Sequence, residues 1–161
     1  MEETARLTLR RPKLADAPAL FAFMGDPEAM RWTHTHPSIP ALRGYLAAHA
    51  RQRARIGVGP WTVVERASGD IIGFGGPYDD PSDPDWGREV GYFFAPVAWG
   101  QGHASELVVR SLEVARRQGA GAVRAFAHPE NHGSRRVLEK AGFRLVRYVP
   151  EMERFLFVAG G

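Results

Sequence analysis

The sequence predicts a single domain of the α/β class, built on a mixed sheet. Its 161 residues match the size of one domain and are too few for two ordinary ones. Strand patterns of period two fill the middle of the chain, whereas strands and helices alternate in the second half. A strand, a long crossover helix and another strand imply a parallel pair at the centre of the sheet. We therefore expect residues 1–161 to form one domain.

Composition excludes several classes of protein. Hydrophobic residues make up 44% and charged residues 24%, which is typical of a soluble globular protein rather than a disordered one. No apolar run reaches the roughly 20 residues that span a bilayer. The start, Met1-Glu2-Glu3, lacks the basic and apolar segments of a secretory signal, so a cytoplasmic location is expected.

The absence of cysteine and the small net charge limit the chemistry. A chain with no Cys forms no disulfide, no thiolate metal site and no cysteine-borne covalent intermediate. The net charge is only +3, and basic and aromatic residues are not interleaved, which argues against a nucleic-acid partner.

The first third of the chain contains one strand and three helices. Residues 6–10, Arg-Leu-Thr-Leu-Arg, alternate with period two and predict the first strand. Asp16 stands at the head of an apolar run that suits a helix. Asp26-Pro27-Glu28 is a second start signal and predicts a short helix over 26–32. Ser38 marks the start of a longer helix.

The middle of the chain is predicted to be a hairpin, a loop and a strand. Residues 61–66 and 71–74 alternate on either side of a turn, and Gly75-Gly76-Pro77 is expected to end the hairpin. Residues 79–86 hold four aspartates and two prolines and form a polar loop. Residues 89–94 are the next strand.

The second half alternates helices and strands. Helix 102–118 carries a continuous apolar stripe, and a strand follows over 123–127. A short helix over 132–141 leads to two final strands, over 143–149 and 154–158. This order completes the mixed α/β sheet.

The most informative segment lies between the strand 89–94 and the long helix. The strand stops, Gly100 and Gly102 follow at alternate positions, and the helix begins at once. Glycines there let the backbone curl with its N–H groups inward, and the helix N-terminus adds unpaired donors and partial positive charge. This arrangement suits a pyrophosphate, although a plain tight turn has the same pattern. It is neither a P-loop nor a dinucleotide fingerprint.

At this point the sequence resembles a known family. Gly100-x-Gly102-x-Ala104, after a strand that contains Gly91-Tyr92, looks like the acetyl-CoA loop of the GNAT N-acetyltransferase superfamily. Further matches resemble the RimJ/RimL branch, the ribosomal-protein N-terminal acetyltransferases. They lie in His128-Pro129-Glu130-Asn131-x-x-Ser134, in Val137-Leu138-Glu139-Lys140-x-Gly142-Phe143, in Arg6-Leu7-Thr8-Leu9-Arg10 and in Asp26-Pro27-Glu28-x-Met30. The resemblance spans residues 5–158, and Trp99 stands where many members have Arg or Gln.

The resemblance implies a GNAT-type fold and acetyl-CoA as cosubstrate. The fold would have about seven mostly antiparallel strands, a central parallel pair splayed apart and about four helices. The pantetheine arm would lie between the splayed strands and pair with the backbone of Phe93, Phe94 and Ala95. Asn131 would also bond the pantetheine. The backbone N–H groups that would hold the pyrophosphate belong to Gly100, Gln101, Gly102, His103, Ala104 and Ser105.

The implied reaction is attack of an amine on a thioester. It requires a neutral amine, a polarised carbonyl and a proton for the departing thiolate. Because the chain has no Cys, direct transfer in a ternary complex is favoured. Ser134, which the resemblance places near the sulfur, is the candidate proton donor, since Leu138 occupies the position where many members have a Tyr. The alternative is that Ser134 only caps its helix.

The general base is left open between two carboxylates. Glu89 lies inside an otherwise apolar strand, where burial would raise its pKa. Glu153 lies near where the ribosomal-protein branch has a catalytic glutamate, and Glu151 competes with it. A water chain is a further alternative.

The acceptor is also left open. The sequence favours a primary amine, with a protein N-terminus first, a small-molecule amine second and a catalytically silent acyl-CoA-binding module third. Trp32 and Tyr45, with the loop that holds His34 and His36, are candidates for the acceptor pocket wall. The aspartates of 79–86 could attract a cation. No metal is expected, because no third ligand accompanies the His34/His36 pair. A homodimer is a further expectation.

Overall fold

The computed structural model describes residues 1–160, which form eight strands in one sheet and four α-helices. The strands lie in the order β1-β2-β3-β4-β5-β6-β8-β7. Their bounds are β1 Glu2–Glu3, β2 Leu7–Arg10, β3 Trp61–Glu65, β4 Ile71–Asp79, β5 Arg88–Phe94, β6 Ala122–Ala127, β7 Arg144–Val149 and β8 Arg154–Gly160. The helices are α1 Ala17–Met24, α2 Ile39–Ile56, α3 His103–Arg117 and α4 His132–Lys140.

The sheet opens between β5 and β6. All other neighbours pair antiparallel, whereas β5 and β6 are parallel and share a single register pair, Glu89 with Arg124. On its other edge β5 pairs with β4 along its whole length, from Arg88 to Phe94. β5 therefore leaves β6 after Glu89, and a wedge-shaped gap opens toward Phe94. The predicted mixed sheet with a splayed parallel pair is confirmed.

The helices cover both faces of this sheet. Leu20 of α1 and Leu42 of α2 pack with Phe74 and Phe93 in one cluster. On the opposite face, residues of α3 and α4 pack with Val90 and with other side chains of β5, β6 and β8. Because side chains alternate along a strand, odd-numbered residues of β5 face α1 and α2, and even-numbered residues face α3 and α4.

One predicted helix is absent from the described residues. The segment over 26–32 makes turns only, with Met30 N–H donating to the carbonyl of Asp26 at 3.0 Å. Met30 is buried and anchors this connection to the core. A start signal over so few residues cannot meet the cost of nucleation, so packing rather than capping decides the conformation.

The prediction that the hairpin ends at Gly75-Gly76-Pro77 is wrong. β4 continues through them to Asp79 and pairs with β5 all the way. β3 begins only at Trp61, opposite Gly75, so no strand lies beside Pro77 on the edge where its missing N–H would be needed. A Cβ at Gly75 would lie 2.5 Å from the carbonyl oxygen of Gly91, which explains the glycine there.

The two-residue strand β1 was not predicted, so the sheet has eight strands rather than about seven. The start of α2 matches the sequence prediction, because the Ser38 hydroxyl accepts from Ala41 N–H at 3.2 Å.

Candidate active site

The open edge of β5 presents backbone groups to the gap. Ala95 N–H donates to the carbonyl of Ile72 at 2.9 Å, and hydrogen-bonded pairs alternate along an antiparallel ladder. The backbone of Phe93 is therefore also directed at β4, whereas Tyr92 and Phe94 direct theirs at the gap. Of the three predicted strand residues, Phe94 is the one whose backbone faces the gap.

The loop between β5 and α3 carries a row of unpaired donors. Within residues 1–160, none of the backbone N–H groups from Gly100 to Ser105 donates to a protein acceptor, and no side chain caps α3. Gly100 and Gly102 have positive φ angles of 71° and 82°. Left-handed glycines next to an uncapped helix N-terminus form a concave set of donors that suits a diphosphate.

Arg6 fixes the shape of this loop from the far end of the chain. Its Nη1 donates to the carbonyl of Gln101 at 2.7 Å, and its Nε donates to Glu106 of α3 at 2.8 Å. Glu106 also accepts from the backbone N–H of Arg6 at 2.8 Å. These bonds tie β2 to the loop and to the first turn of α3. The alternating pattern of residues 6–10 predicts Arg6 only as a strand residue, and it does not indicate a partner 95 residues away.

Two further contacts hold the loop in place. The Trp99 indole N–H donates to the carbonyl of Phe94 at 2.9 Å. The His103 side chain is buried and stacks on the Phe94 ring, with a centroid distance of 6.4 Å. His103 therefore offers the gap its backbone N–H and not its imidazole.

The first turn of α4 lies on the other side of the gap. The Asn131 side-chain oxygen accepts from Ser134 N–H at 3.2 Å and caps the helix. The Asn131 amide nitrogen makes no hydrogen bond within residues 1–160 and remains available as a donor. The alternative in which Ser134 is the cap is wrong, because Asn131 fills that role.

Ser134 contacts a residue that the sequence analysis did not select. Its Oγ lies 2.8 Å from the hydroxyl of Tyr92 on β5. Burial raises the pKa of Tyr92 to about 12 despite the hydrogen bond to Ser134, so the phenol keeps its proton at neutral pH. The only sequence signal for Tyr92 was its place in the Gly91-Tyr92 strand motif.

Glu89 lies at the apex of the gap and is 5% exposed. It stands directly opposite Tyr78 in the β4–β5 ladder. Burial, followed by the charge of Asp80, raises the pKa of Glu89 to about 8, although a hydrogen bond from Tyr78 opposes the shift. This carboxyl group becomes able to accept a proton as the pH rises through about 8.

The competing carboxylates are solvent-exposed. Glu153 lies in the turn between β7 and β8, with a left-handed φ of 53°, and Glu151 precedes it in the same turn. Neither side chain is buried. The structure therefore distinguishes Glu89 from both by its burial and by its position at the gap.

Aromatic and imidazole rings cluster beside Glu89, on the face of α1 and α2. Tyr45 lies 4.6 Å from His49 and 4.7 Å from His36, measured between ring centroids, and His49 lies 5.3 Å from Tyr78. Burial is the main cause that lowers the pKa of His49 to about 4, so this ring is neutral.

The loop that precedes α2 spans the end of β6 and this cluster. Trp32 lies against His128, which follows β6, with centroids 4.9 Å apart, while His34 lies 5.0 Å from His36. In residues 1–160 no three His, Cys, Asp or Glu side chains are grouped to hold a metal ion. None of the described helices has the length and apolar composition needed to cross a membrane.

Unpaired backbone donors that suit a diphosphate lie beside the opened parallel strands, and a buried carboxyl group lies at the apex of the gap. This arrangement suits a transferase that uses an acyl-CoA thioester. Residues 6–144 match the Acetyltransferase (GNAT) domain. The chain belongs to the GNAT acetyltransferase family and is an acetyl-CoA-dependent acetyltransferase.

A relative and a solved structure are similar to most of this chain. The chain is 28% identical over 141 residues to YkkB of Bacillus subtilis (strain 168), covering 86% of this chain and 82% of YkkB. An acetyltransferase from Agrobacterium tumefaciens str. C58 has a TM-score of 0.84 at 25% identity, covering 99% and 94% of the two chains.

Two other structures share the fold at lower identity. RimL, a ribosomal L7/L12 alpha-N-protein acetyltransferase in complex with coenzyme A, has a TM-score of 0.82 at 16% identity, covering 98% and 95%. AAC(6')-Ib in complex with ribostamycin and coenzyme A has a TM-score of 0.76 at 20% identity, covering 96% and 93%.

Proposed function

We propose that this protein transfers an acetyl group from acetyl-CoA to a primary amine by direct attack in a ternary complex. One observation carries the proposal: at the point where the sheet opens, β5 places Glu89 on the face of α1 and α2 and Tyr92 on the face of α3 and α4. A thioester lying in the gap is then accessible from both faces. The amine approaches on one face, and the sulfur departs on the other.

Binding of acetyl-CoA follows from the donors on the second face. The N–H groups from Gly100 to Ser105 bond the diphosphate, and the backbone of Phe94, flanked by Phe93 and Ala95, pairs with the pantetheine arm. The Asn131 amide nitrogen donates to a pantetheine carbonyl. The side chain of Arg6 keeps the loop in this shape through Gln101.

The chemical step uses groups from both faces. Glu89 accepts a proton from the amine, whose nitrogen attacks the thioester carbonyl and forms the C–N bond. The C–S bond breaks, and the sulfur takes a proton from Ser134. Glu153 is the rival base that the resemblance suggests, and its exposure is why we place it second.

A protein N-terminal amine is our first candidate acceptor, and it would place the chain in the RimJ/RimL branch. The fold of RimL supports this choice, as do the sequence blocks around Asp26 and Asn131. A small cationic amine is the second candidate. Asp80 favours the small cation, because this half-buried carboxylate has no ion-pair partner among residues 1–160. Its negative charge also acts to raise the pKa of Glu89, of Tyr45 and of His49.

An acceptor panel tests both candidates. CoA release and product mass are measured with a lysine-free peptide, the same peptide with a blocked N-terminus, an alkyl monoamine and a diamine of equal length. Acetylation of the free peptide alone supports the protein acceptor. Preference for the diamine supports the small cation, and Asp80→Asn then raises its KM about fivefold, while the exposed control Asp85→Asn leaves it unchanged. Binding of acetyl-CoA without acetylation of any amine supports the silent module instead.

A further inference from the structure

We propose that Tyr92 and Ser134 form a two-hydroxyl relay that delivers a proton to the sulfur of the departing CoA. The relay rests on the proposed function, because it serves the thioester step described above. Ser134 is the group that touches the sulfur. Tyr92 acts through Ser134 and is a positioning residue.

The pair spans the gap. Tyr92 belongs to β5, whereas Ser134 belongs to α4, which follows β6, and these two strands share no register pair beyond Glu89 and Arg124. The 2.8 Å contact between the two hydroxyl oxygens therefore joins the opposite walls of the gap. A thioester that lies between the walls must pass beside these hydroxyls.

The hydrogen bonds of the two hydroxyls allow the direction that the relay requires. Each hydroxyl has one proton, and the partners of Tyr92 Oη within residues 1–160 are Ser134 Oγ at 2.8 Å and the Ser134 carbonyl oxygen at 3.4 Å. When Tyr92 donates to Ser134 Oγ, the shorter of its two contacts, the seryl proton has no further acceptor within residues 1–160. That proton can point into the gap.

The proton balance is complete. As the C–S bond breaks, Ser134 O–H protonates the thiolate, and Tyr92 O–H restores the proton on Ser134 Oγ. The phenolate left on Tyr92 takes a proton from solvent once CoA has departed, and Glu89 releases to solvent the proton that it took from the amine. Because burial raises the pKa of Tyr92, its phenol is fully protonated before each turnover and the phenolate is short-lived.

Packing alone does not explain Tyr92. Its ring contacts both core clusters on the face of α3 and α4, and a phenylalanine would make the same apolar contacts. A hydroxyl inside a protein is tolerated when it is hydrogen-bonded, and both contacts of this hydroxyl are with Ser134, at the candidate site. The ring of Tyr92 packs in the core, whereas its hydroxyl group is hydrogen-bonded to Ser134.

A double-mutant cycle tests the relay with the full-length chain and the acceptor that the panel identifies. Ser134→Ala lowers kcat about 100-fold, and Tyr92→Phe lowers kcat about tenfold or more, with the KM for acetyl-CoA within twofold of wild type in both. The double variant is no slower than Ser134→Ala, because residues that act as a unit are not additive. Ser134→Thr, which keeps the hydroxyl, restores most of the activity and its dependence on Tyr92.

Three outcomes would overturn the relay. A Tyr92→Phe variant as fast as wild type means that Ser134 acts without it, and additive losses mean that the two hydroxyls act separately. A rise in KM with no fall in kcat gives Tyr92 a binding role only. Tyr148→Phe, at an exposed tyrosine of β7, is the matched control and retains wild-type kcat. A wild type that acetylates no amine contradicts the proposed function itself, whereas the three outcomes above leave it intact.

Discussion

Glu89 shows how one position in a strand acquires a chemical role. Apart from Arg88, which is ion-paired with Asp79, the other residues of β5 carry no charge, and the buried Glu89 carboxyl group lies beside Tyr78. Burial and then the charge of Asp80 raise its pKa to about 8. The sequence predicted this shift from the apolar surroundings alone. It could not predict Asp80, because the loop that carries it follows a different strand.

Activity is expected to follow the ionisation of Glu89. The wild-type kcat/KM rises with pH through a limb near pH 8, as Glu89 loses its proton and becomes able to accept one from the amine. Glu89→Gln lowers kcat/KM about 100-fold and abolishes this limb. The measurement is a pH profile with two acceptors of different amine pKa. A limb that follows the acceptor, or one that is lost in Glu153→Gln but kept in Glu89→Gln, contradicts the assignment.

The same residue makes stability depend on pH. The pKa of Glu89 is higher in the folded chain, about 8 against 4.5, so the native state binds more protons in this window. The contribution of Glu89 to stability is therefore fully present below pH 4.5 and is lost as the pH rises through about 8. Glu89→Gln, which carries no charge, is expected to gain in Tm over wild type between pH 5 and pH 9. An equal Tm difference at both ends would show that Glu89 keeps its ordinary pKa.

At the scale of elements, the loop before α3 was the feature that the sequence defined best. Two glycines between a strand and a helix indicated the unpaired backbone N–H groups, because positive φ angles and an uncapped helix N-terminus depend on local sequence. Local signals failed where tertiary packing decides. The segment over 26–32 makes only turns despite its capping pattern. Gly75-Gly76-Pro77 lies within β4 because β5 pairs with it throughout, while β3 begins only at Trp61, opposite Gly75.

Gly102 provides the element-scale prediction. A side chain there adopts a strained φ of 82°, and its Cβ lies 3.1 Å from Arg6 Nη2. Gly102→Glu also places a carboxylate among donors that would otherwise bond a diphosphate. The Kd for acetyl-CoA is expected to rise by about 100-fold or more, the loss of about 3 kcal/mol of binding free energy, measured by titration calorimetry.

The control for this variant lies at the other end of the same helix. Gly119 has a φ of 79° and open space around its Cα, so Gly119→Glu imposes similar backbone strain away from the loop. We expect a comparable decrease in Tm and an unchanged Kd. Equal weakening of acetyl-CoA binding in both variants would mean that strain, and not the anion site, explains the effect.

At the scale of the molecule, function depends on contacts between distant parts of the chain. Tyr92 meets Ser134 across 42 residues, and Arg6 meets Gln101 across 95. Sequence periodicity indicates neither contact, because it explains Tyr92 and Arg6 only as strand positions. The sequence predicted the class of sheet and its splayed pair. It could not predict which side chains the closed sheet brings together at the gap.

Acetyl-CoA is expected to stabilise the whole domain, because its predicted contacts come from β5, the loop before α3 and the first turn of α4. A ligand at about 100 times its Kd adds roughly 2.7 kcal/mol to the free energy of unfolding, which raises the Tm by about 5–10 °C in a domain of this size. Adenosine, which lacks the diphosphate and pantetheine, should shift the Tm little. The measurement is thermal unfolding with each ligand, repeated with Gly102→Glu, which is expected to lose the shift. An equal shift with adenosine would place binding outside the gap, and no shift at saturating acetyl-CoA would leave the unpaired N–H groups from Gly100 to Ser105 as an ordinary helix start.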